Sequence, residues 1–235
     1  MAATATEPLV LVPGLMCTAD LFHAQILAFG HGREVMVADH TRHDTMAGIA
    51  GAVLEAAPPR FALAGLSMGG YVAFEILRRA PERVVRLALI DTSARADLPE
   101  QSARRRELIE IARTRGVRFV QKTLLPMLVA PRVLADTARV ERLLAMADDT
   151  GMEGFARQQS AIMGRPDNRP LLGEIRCPTL VVVGSEDQLT PVKVAEEIRD
   201  GIAGARLEVI AGAGHLTPIE APEEVTAVLQ RWLDA

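Results

Sequence analysis

Gly65-Leu66-Ser67-Met68-Gly69 is the stretch that decides how this chain is read. It spells G-x-S-x-G. A short apolar run, Phe61-Ala62-Leu63-Ala64, precedes it, and Tyr71-Val72-Ala73-Phe74-Glu75-Ile76-Leu77 follows with helical spacing. A strand, one sharp turn and a helix form the setting of a nucleophile elbow. The serine there must sit on strained backbone so that its hydroxyl stands above the sheet edge. Gly65 and Gly69 flank it because a side chain at either position would meet the facing strand or helix. The helix N-terminus beneath the serine favours negative charge, which an oxyanion needs. By itself the pentapeptide also fits a serine that only caps a helix.

Two segments further along extend the pattern. Leu180-Val181-Val182-Val183-Gly184-Ser185-Glu186-Asp187 is a β-branched run that ends in a polar turn, as a buried parallel strand does. Leu207-Glu208-Val209-Ile210 is a second run, followed by Ala211-Gly212-Ala213-Gly214-His215, a glycine-rich loop carrying a histidine. The order Ser67, Asp187, His215 differs from the two protease orders and matches the serine–acid–histidine order of a third fold. Each residue follows a strand, so all three gather at the carboxyl edge of a parallel sheet, where ligands bind. Asp91, at the end of the Leu87–Ile90 run, competes with Asp187 for the acid's role. Glu186 adjoins Asp187, so side-chain direction decides between those two.

The chain resembles the α/β-hydrolase-fold family, in its group of small bacterial esterases, enol-lactonases and carbon–carbon hydrolases. The resemblance rests on Leu9-Val10-Leu11-Val12-Pro13-Gly14-Leu15-Met16, Gly65-Leu66-Ser67-Met68-Gly69-Gly70, Gly184-Ser185-Glu186-Asp187 and Gly212-Ala213-Gly214-His215. It implies Ser67 as nucleophile, His215 as base and Asp187 as orienting acid, with the Leu15 and Met68 N–H groups as oxyanion hole. The chain departs from the family in two places. Pro13-Gly14 stands where His-Gly is usual, and Ala38-Asp39-His40-Thr41-Arg42-His43-Asp44 replaces a Pro-Asp-x-x-Gly-x-Gly run. The implied activity is hydrolysis of a small carboxylic ester, thioester or lactone, with no cofactor. Hydrolysis of a carbon–carbon bond in a ring-cleavage product, and ligand binding without catalysis, stay open. Leu66 before the serine looks more like the esterases and enol-lactonases.

Composition bounds the alternatives. A chain of 235 residues can bury one substantial core. Hydrophobic residues make up 49% and mean hydropathy is +0.16, as a sheet covered on both faces requires. A net charge of −4 argues against a nucleic-acid partner. No apolar run approaches the roughly 20 residues that span a bilayer. Residues 1–8 have neither a basic start nor an apolar core, so no secretory signal is expected. Cys17 and Cys177 are the only cysteines, and a reduced cytoplasmic state is the simplest setting for them.

Along the chain, strands are expected at Leu9–Val12, Glu34–Ala38, Phe61–Ala64, Val84–Ile90, Leu180–Val183 and Leu207–Ile210. Helices alternate with them, which predicts an α/β fold with a mainly parallel sheet of about six strands. Thr18 or Asp20 caps the first helix, and Pro58-Pro59 stops the one over Thr45–Ala57. Few residues precede the first strand, so no leading antiparallel hairpin is expected. Residues 94–170 break the alternation. Helices are expected from Pro99, over Val117–Leu128, over Val133–Asp148 and over Gly151–Met163. About 75 residues is far more than a crossover needs, so this stretch reads as a helical lid inserted after the strand ending near Ile90. The core is then 1–93 with 171–235. Met16, Leu124, Leu125, Leu128, Met152, Phe155 and Met163 are candidates for the pocket, though each lid residue among them also fits the lid's own core.

Other residues have plainer readings. His40 and His43 with Asp39 and Asp44 lack a clear third ligand and read as solvent-exposed, so no metal is expected. Cys17 reads as a small buried hydrophobe. Arg104-Arg105-Arg106 reads as a solvated lid face, and Arg95 and Arg157 as candidates for binding a carboxylate. Glu220 reads as a first-turn carboxylate favoured by the helix dipole.

Overall fold

The structure is a computed structural model that describes residues 6–235; residues 1–5 of the stretch read for a secretory signal lie outside the described residues. Six strands form one sheet, all paired in parallel: β1 (Leu9–Val12), β2 (Val35–Val37), β3 (Phe61–Leu66), β4 (Val84–Ile90), β5 (Thr179–Gly184) and β6 (Arg206–Ile210). Their spatial order is β2-β1-β3-β4-β5-β6. The winding reverses between β1 and β3, and a crevice opens at such a point beyond the carboxyl ends. The register places Val12 beside Gly65, so the ends of β1 and β3 lie side by side there.

Side-chain alternation divides the core into two layers. Val10, Val12, Leu63, Leu87, Leu89, Val181 and Val183 face α2 (Met46–Ala56), α3 (Met68–Arg79) and α9 (Val192–Gly201). Leu9, Leu11, Ala62, Ala64, Ala88, Leu180 and Val182 face α1 (His23–Phe29) and α11 (Pro222–Asp234), where Trp232 is buried. The β-branched runs are therefore buried on both faces, as parallel strands with helical crossovers must be. Thr45 caps α2 by accepting from the Gly48 N–H at 3.0 Å, and Thr18 accepts from Asp20 N to open a short 3-10 turn.

Between β4 and β5 the chain leaves the sheet. It forms α4 (Pro99–Arg115), α5 (Val117–Leu128), α6 (Pro131–Leu134), α7 (Thr137–Met163) and α8 (Arg169–Leu172). The expected break near residue 150 is present as a kink within α7: Gly151 has φ 67°, ψ 171°, a left-handed conformation that suits glycine. The insertion has its own apolar cluster of Leu108, Ala112, Val117, Val120, Ala147 and Phe155, joined by Met16 from the β1 loop. After β6, α10 (Thr217–Glu220) leads into α11. Among the described residues no helix is long and apolar enough to cross a membrane.

Candidate active site

Ser67 follows β3 directly and precedes α3. Its backbone is at φ 53°, ψ −111°, a region that disfavours L-residues with side chains. The surroundings hold it there: the Ser67 N–H donates to Ile90 O at 2.9 Å, and the Thr92 hydroxyl donates to Ser67 O at 2.7 Å. The glycines are required by close approach. A Cβ at Gly69 would overlap the Val12 carbonyl of β1, and one at Gly65 would overlap the Gly69 backbone of α3.

His215 comes from the loop after β6. Its Nε2 lies 2.8 Å from Ser67 Oγ, and its Nδ1 lies 2.8 Å from Asp187 Oδ2. Asp187 comes from the loop after β5. Its Oδ1 accepts from the Leu189 and Thr190 N–H groups, and its Oδ2 also accepts from the Thr190 hydroxyl at 2.7 Å. These contacts aim one carboxylate edge at the imidazole. Burial works against ionisation of Asp187, but the His215 charge and these hydrogen bonds hold its pKa below the usual carboxylate value. Burial likewise opposes the imidazolium, yet Asp187, Asp91 and Glu220 together outweigh it and raise the His215 pKa.

The two competing carboxylates are placed elsewhere. Asp91 ends β4, and its Oδ1 accepts from Gly184 N while its Oδ2 accepts from Thr217 N and the Thr217 hydroxyl. It joins the β5 end to α10 and makes no hydrogen bond to His215. Burial pushes its pKa up to about 8. Glu186 is exposed.

Met68 follows Ser67 directly, and Leu15 lines the same cavity as Ser67 and His215. Neither N–H has a hydrogen-bond partner among the described residues, and Met68 opens α3, where the first N–H groups have no intrahelical acceptor. His40, read from the sequence as solvent-exposed, and Gln158, which no sequence signal marked, hold the β1 loop. The Met16 N–H donates to Gln158 Oε1 at 3.1 Å, and Gln158 Nε2 lies 3.2 Å from His40 Nε2. His40 is therefore buried, not exposed: its Nε2 is 2.9 Å from Gly14 O, and burial lowers its pKa. Cys17 is buried, and burial pushes its thiol up to about 12, which leaves it unreactive.

A cavity of about 740 Å³ adjoins Ser67 and His215. Met16, Leu124 and Leu128 line it, as does Leu108. Met152, Phe155 and Met163 do not. Phe155 is fully buried in the insertion's own cluster with Met152 packed on it, because α7 turns that face toward α4 and α5. Leu125 is buried in the layer shared with α11. Arg105 is not on a solvated face: it points inward to Asp97. Arg95 lines the cavity but is paired with Glu197 at 2.8 Å, and Arg157 donates to Thr41 O at 2.7 Å. No group of three metal-ligating side chains comes together among the described residues.

Glu220 does lie in the first turn of α10, as expected, but its contacts reach beyond that helix. It is 2% exposed. Its Oε2 accepts from the Gly214 and Ala130 N–H groups and its Oε1 from the Leu216 N–H, at 2.9 to 3.0 Å. The carboxylate thus grips the backbone on both sides of His215 and ties it to the insertion, where Leu128 O also accepts from His215 N. Only the fold reveals this, because the donors come from positions 130, 214 and 216.

The alpha/beta hydrolase family model matches residues 9–228. Among solved structures, a thermophilic esterase from Thermogutta terrifontis is 30% identical, with 97% of this chain and 89% of that chain covered at a TM-score of 0.89. The 3-oxoadipate enol-lactonase 2 of Acinetobacter baylyi is 27% identical over 179 residues, which cover 74% of this chain and 65% of that protein, just under two thirds of its length. A pimeloyl-[acyl-carrier protein] methyl ester esterase of Aromatoleum aromaticum is 26% identical over 202 residues, 80% of each.

Proposed function

The chain belongs to the alpha/beta hydrolase family, and from that premise we propose that it is a serine hydrolase cleaving a small carboxylic ester, thioester or lactone. The observation that carries this reading is the unbroken relay from Asp187 Oδ2 through His215 to Ser67 Oγ, with both links at 2.8 Å. A serine hydroxyl is a weak nucleophile until a base takes its proton. His215 Nε2 accepts that proton while Nδ1–H donates to Asp187, which fixes the tautomer and stabilises the imidazolium. Ser67 Oγ attacks the carbonyl carbon. The developing oxyanion lies against the Leu15 and Met68 N–H groups, each such donor being worth about 10²–10³ in turnover. The imidazolium then protonates the leaving alcohol or thiol. Water, deprotonated by the same imidazole, releases the acyl group. In a lactone the leaving alcohol stays attached to the acyl chain.

Residues 94–170 act as a lid in this reading. They supply the apolar cavity wall of Leu108, Leu124 and Leu128, and such covers exclude water and select substrate. The names of the enol-lactonase and the methyl ester esterase make lactones and methyl esters the first substrates to try. Both cysteines are free, which suits a cytoplasmic setting.

The test is intact-mass labelling with a fluorophosphonate on wild type and on Ser67→Ala. One adduct on the wild type, absent from the variant, is the expected result, together with loss of ester turnover in the variant. A folded wild type that takes no adduct refutes the reading and leaves ligand binding as the role of the cavity.

A further inference from the structure

Resting on the hydrolase reading, we infer that the cavity contains an anion-recognising subsite and that the substrate carries a carboxylate remote from its scissile ester. Arg105 of α4, Gln121 of α5, Gln159 of α7 and Arg165 after α7 all line the cavity.

The first observation is charge. Among the described residues, Asp97 is the only carboxylate that touches either guanidinium: it accepts from Arg105 Nε at 3.1 Å and from Arg165 Nη1 at 2.7 Å. The side chains of Asp97 and Arg165 are 1% and 4% exposed, and that of Arg105 is 21% exposed. One buried carboxylate therefore faces two cations, and the cluster keeps a net positive charge in a place poorly reached by water. The other carboxylates at the cavity do not correct this, since Glu100 is exposed and Asp167 is taken by Arg169.

The second observation is independent of charge. Gln159 Oε1 accepts from Arg105 Nη1 at 2.9 Å. Arginine offers only donors, so this contact fixes the amide with its oxygen on Arg105 and its nitrogen elsewhere. That nitrogen, Nε2, is buried without a partner. Gln121 is 1% exposed, its side chain makes no hydrogen bond among the described residues, and its Oε1 is likewise unpartnered. Of the four buried side-chain atoms without partners among the described residues, these two belong to cavity-lining residues. Nothing fixes the Gln121 amide, so it can turn its nitrogen toward a ligand.

A carboxylate answers both observations at once. It supplies the missing negative charge, and its oxygens accept from the Gln159 and Gln121 amide nitrogens and from Arg105. An alkyl group in the same place would leave the donors orphaned. Because hydrogen bonds to a charged group are the stronger ones, the preference for a carboxylate-bearing ester over its alkyl equivalent should be about tenfold to a hundredfold in kcat/KM.

The experiment compares methyl alkanoates with the monomethyl esters of the matching α,ω-dicarboxylic acids, from four to eight carbons, by proton release. It uses the full chain as wild type, Gln159→Leu and Gln121→Leu, each also labelled with fluorophosphonate. The expected result is a carboxylate preference of about tenfold or more at one or more lengths in wild type, with the ratio falling toward one in the variants that label. A wild type that labels at Ser67 but shows no carboxylate preference, or turns over none of the monoesters, refutes this inference alone. So does an unchanged ratio in both variants. The Gln159→Glu variant keeps the side chain's shape and replaces the donor with an anion; it should fall below Gln159→Leu, and a ratio equal to wild type would overturn the assignment. A wild type that neither labels nor turns over any ester refutes the hydrolase reading and this inference with it.

Discussion

Replacing Glu220 with glutamine tests whether the His215 loop is held by one buried carboxylate. The change keeps size and removes charge. Three N–H groups, of Ala130, Gly214 and Leu216, converge on the two carboxylate oxygens. An amide has one oxygen, so at least one N–H is left facing an NH2 group. Hydrogen bonds to a charged acceptor are worth about 1.5–3 kcal/mol and neutral ones about 0.5–1.5, and a buried orphaned donor costs about 1–3 kcal/mol. Weakening two bonds and orphaning the third therefore sums to about 3–5 kcal/mol. For a domain of this size that is a fall of about 6–20 °C in melting temperature. The Glu220 charge also helps raise the His215 pKa, so in the variant the acid limb of the pH–rate profile should move to lower pH. Thermal unfolding by circular dichroism and the pH dependence of fluorophosphonate labelling read the two effects separately. A melting temperature within about 2 °C of wild type, with an unmoved acid limb, would refute the clamp.

Asp187→Asn should keep the fold and lower kcat by about 10⁴, because the amide favours the wrong imidazole tautomer; a variant that keeps full turnover while Asp91→Asn loses it would transfer the acid's role to Asp91. His215 must be neutral to accept the Ser67 proton, and its pKa lies above the ordinary 6.5. Turnover should therefore rise with pH through a midpoint above that value, and a midpoint at or below it in kcat/KM against pH would contradict the electrostatics. Phe155→Ala should cost about 3–5 kcal/mol in urea unfolding while Ser67 still labels, since Phe155 is core of the insertion; unchanged stability with lost labelling would place it in the pocket after all.

Local pattern made much of this protein legible. The apolar runs at 9–12 and 180–183 are buried on both faces, and burial on both faces is what removes polar alternation from a parallel strand. The 65–69 elbow was readable because a strained serine between close-packed backbones leaves only glycine at its flanks. The edge pair of β1 and β2 was less so: β2 is three residues long, shorter than the five-residue run suggested, since its pairing with β1 ends at Leu11.

The sequence by itself determined the strand–helix alternation, the chain order of Ser67, Asp187 and His215, and the break in alternation at the insertion, because these depend on residue type and spacing within a single segment. Only the tertiary structure decided that Asp187 and not Asp91 faces the imidazole. It alone decided that Phe155 fills the insertion while Leu108 lines the cavity, that His40 and Gln158 brace the β1 loop, and that Glu220 grips both sides of His215. Those outcomes turn on side-chain direction and on partners up to 142 residues away, and neither is encoded in any local period of the chain.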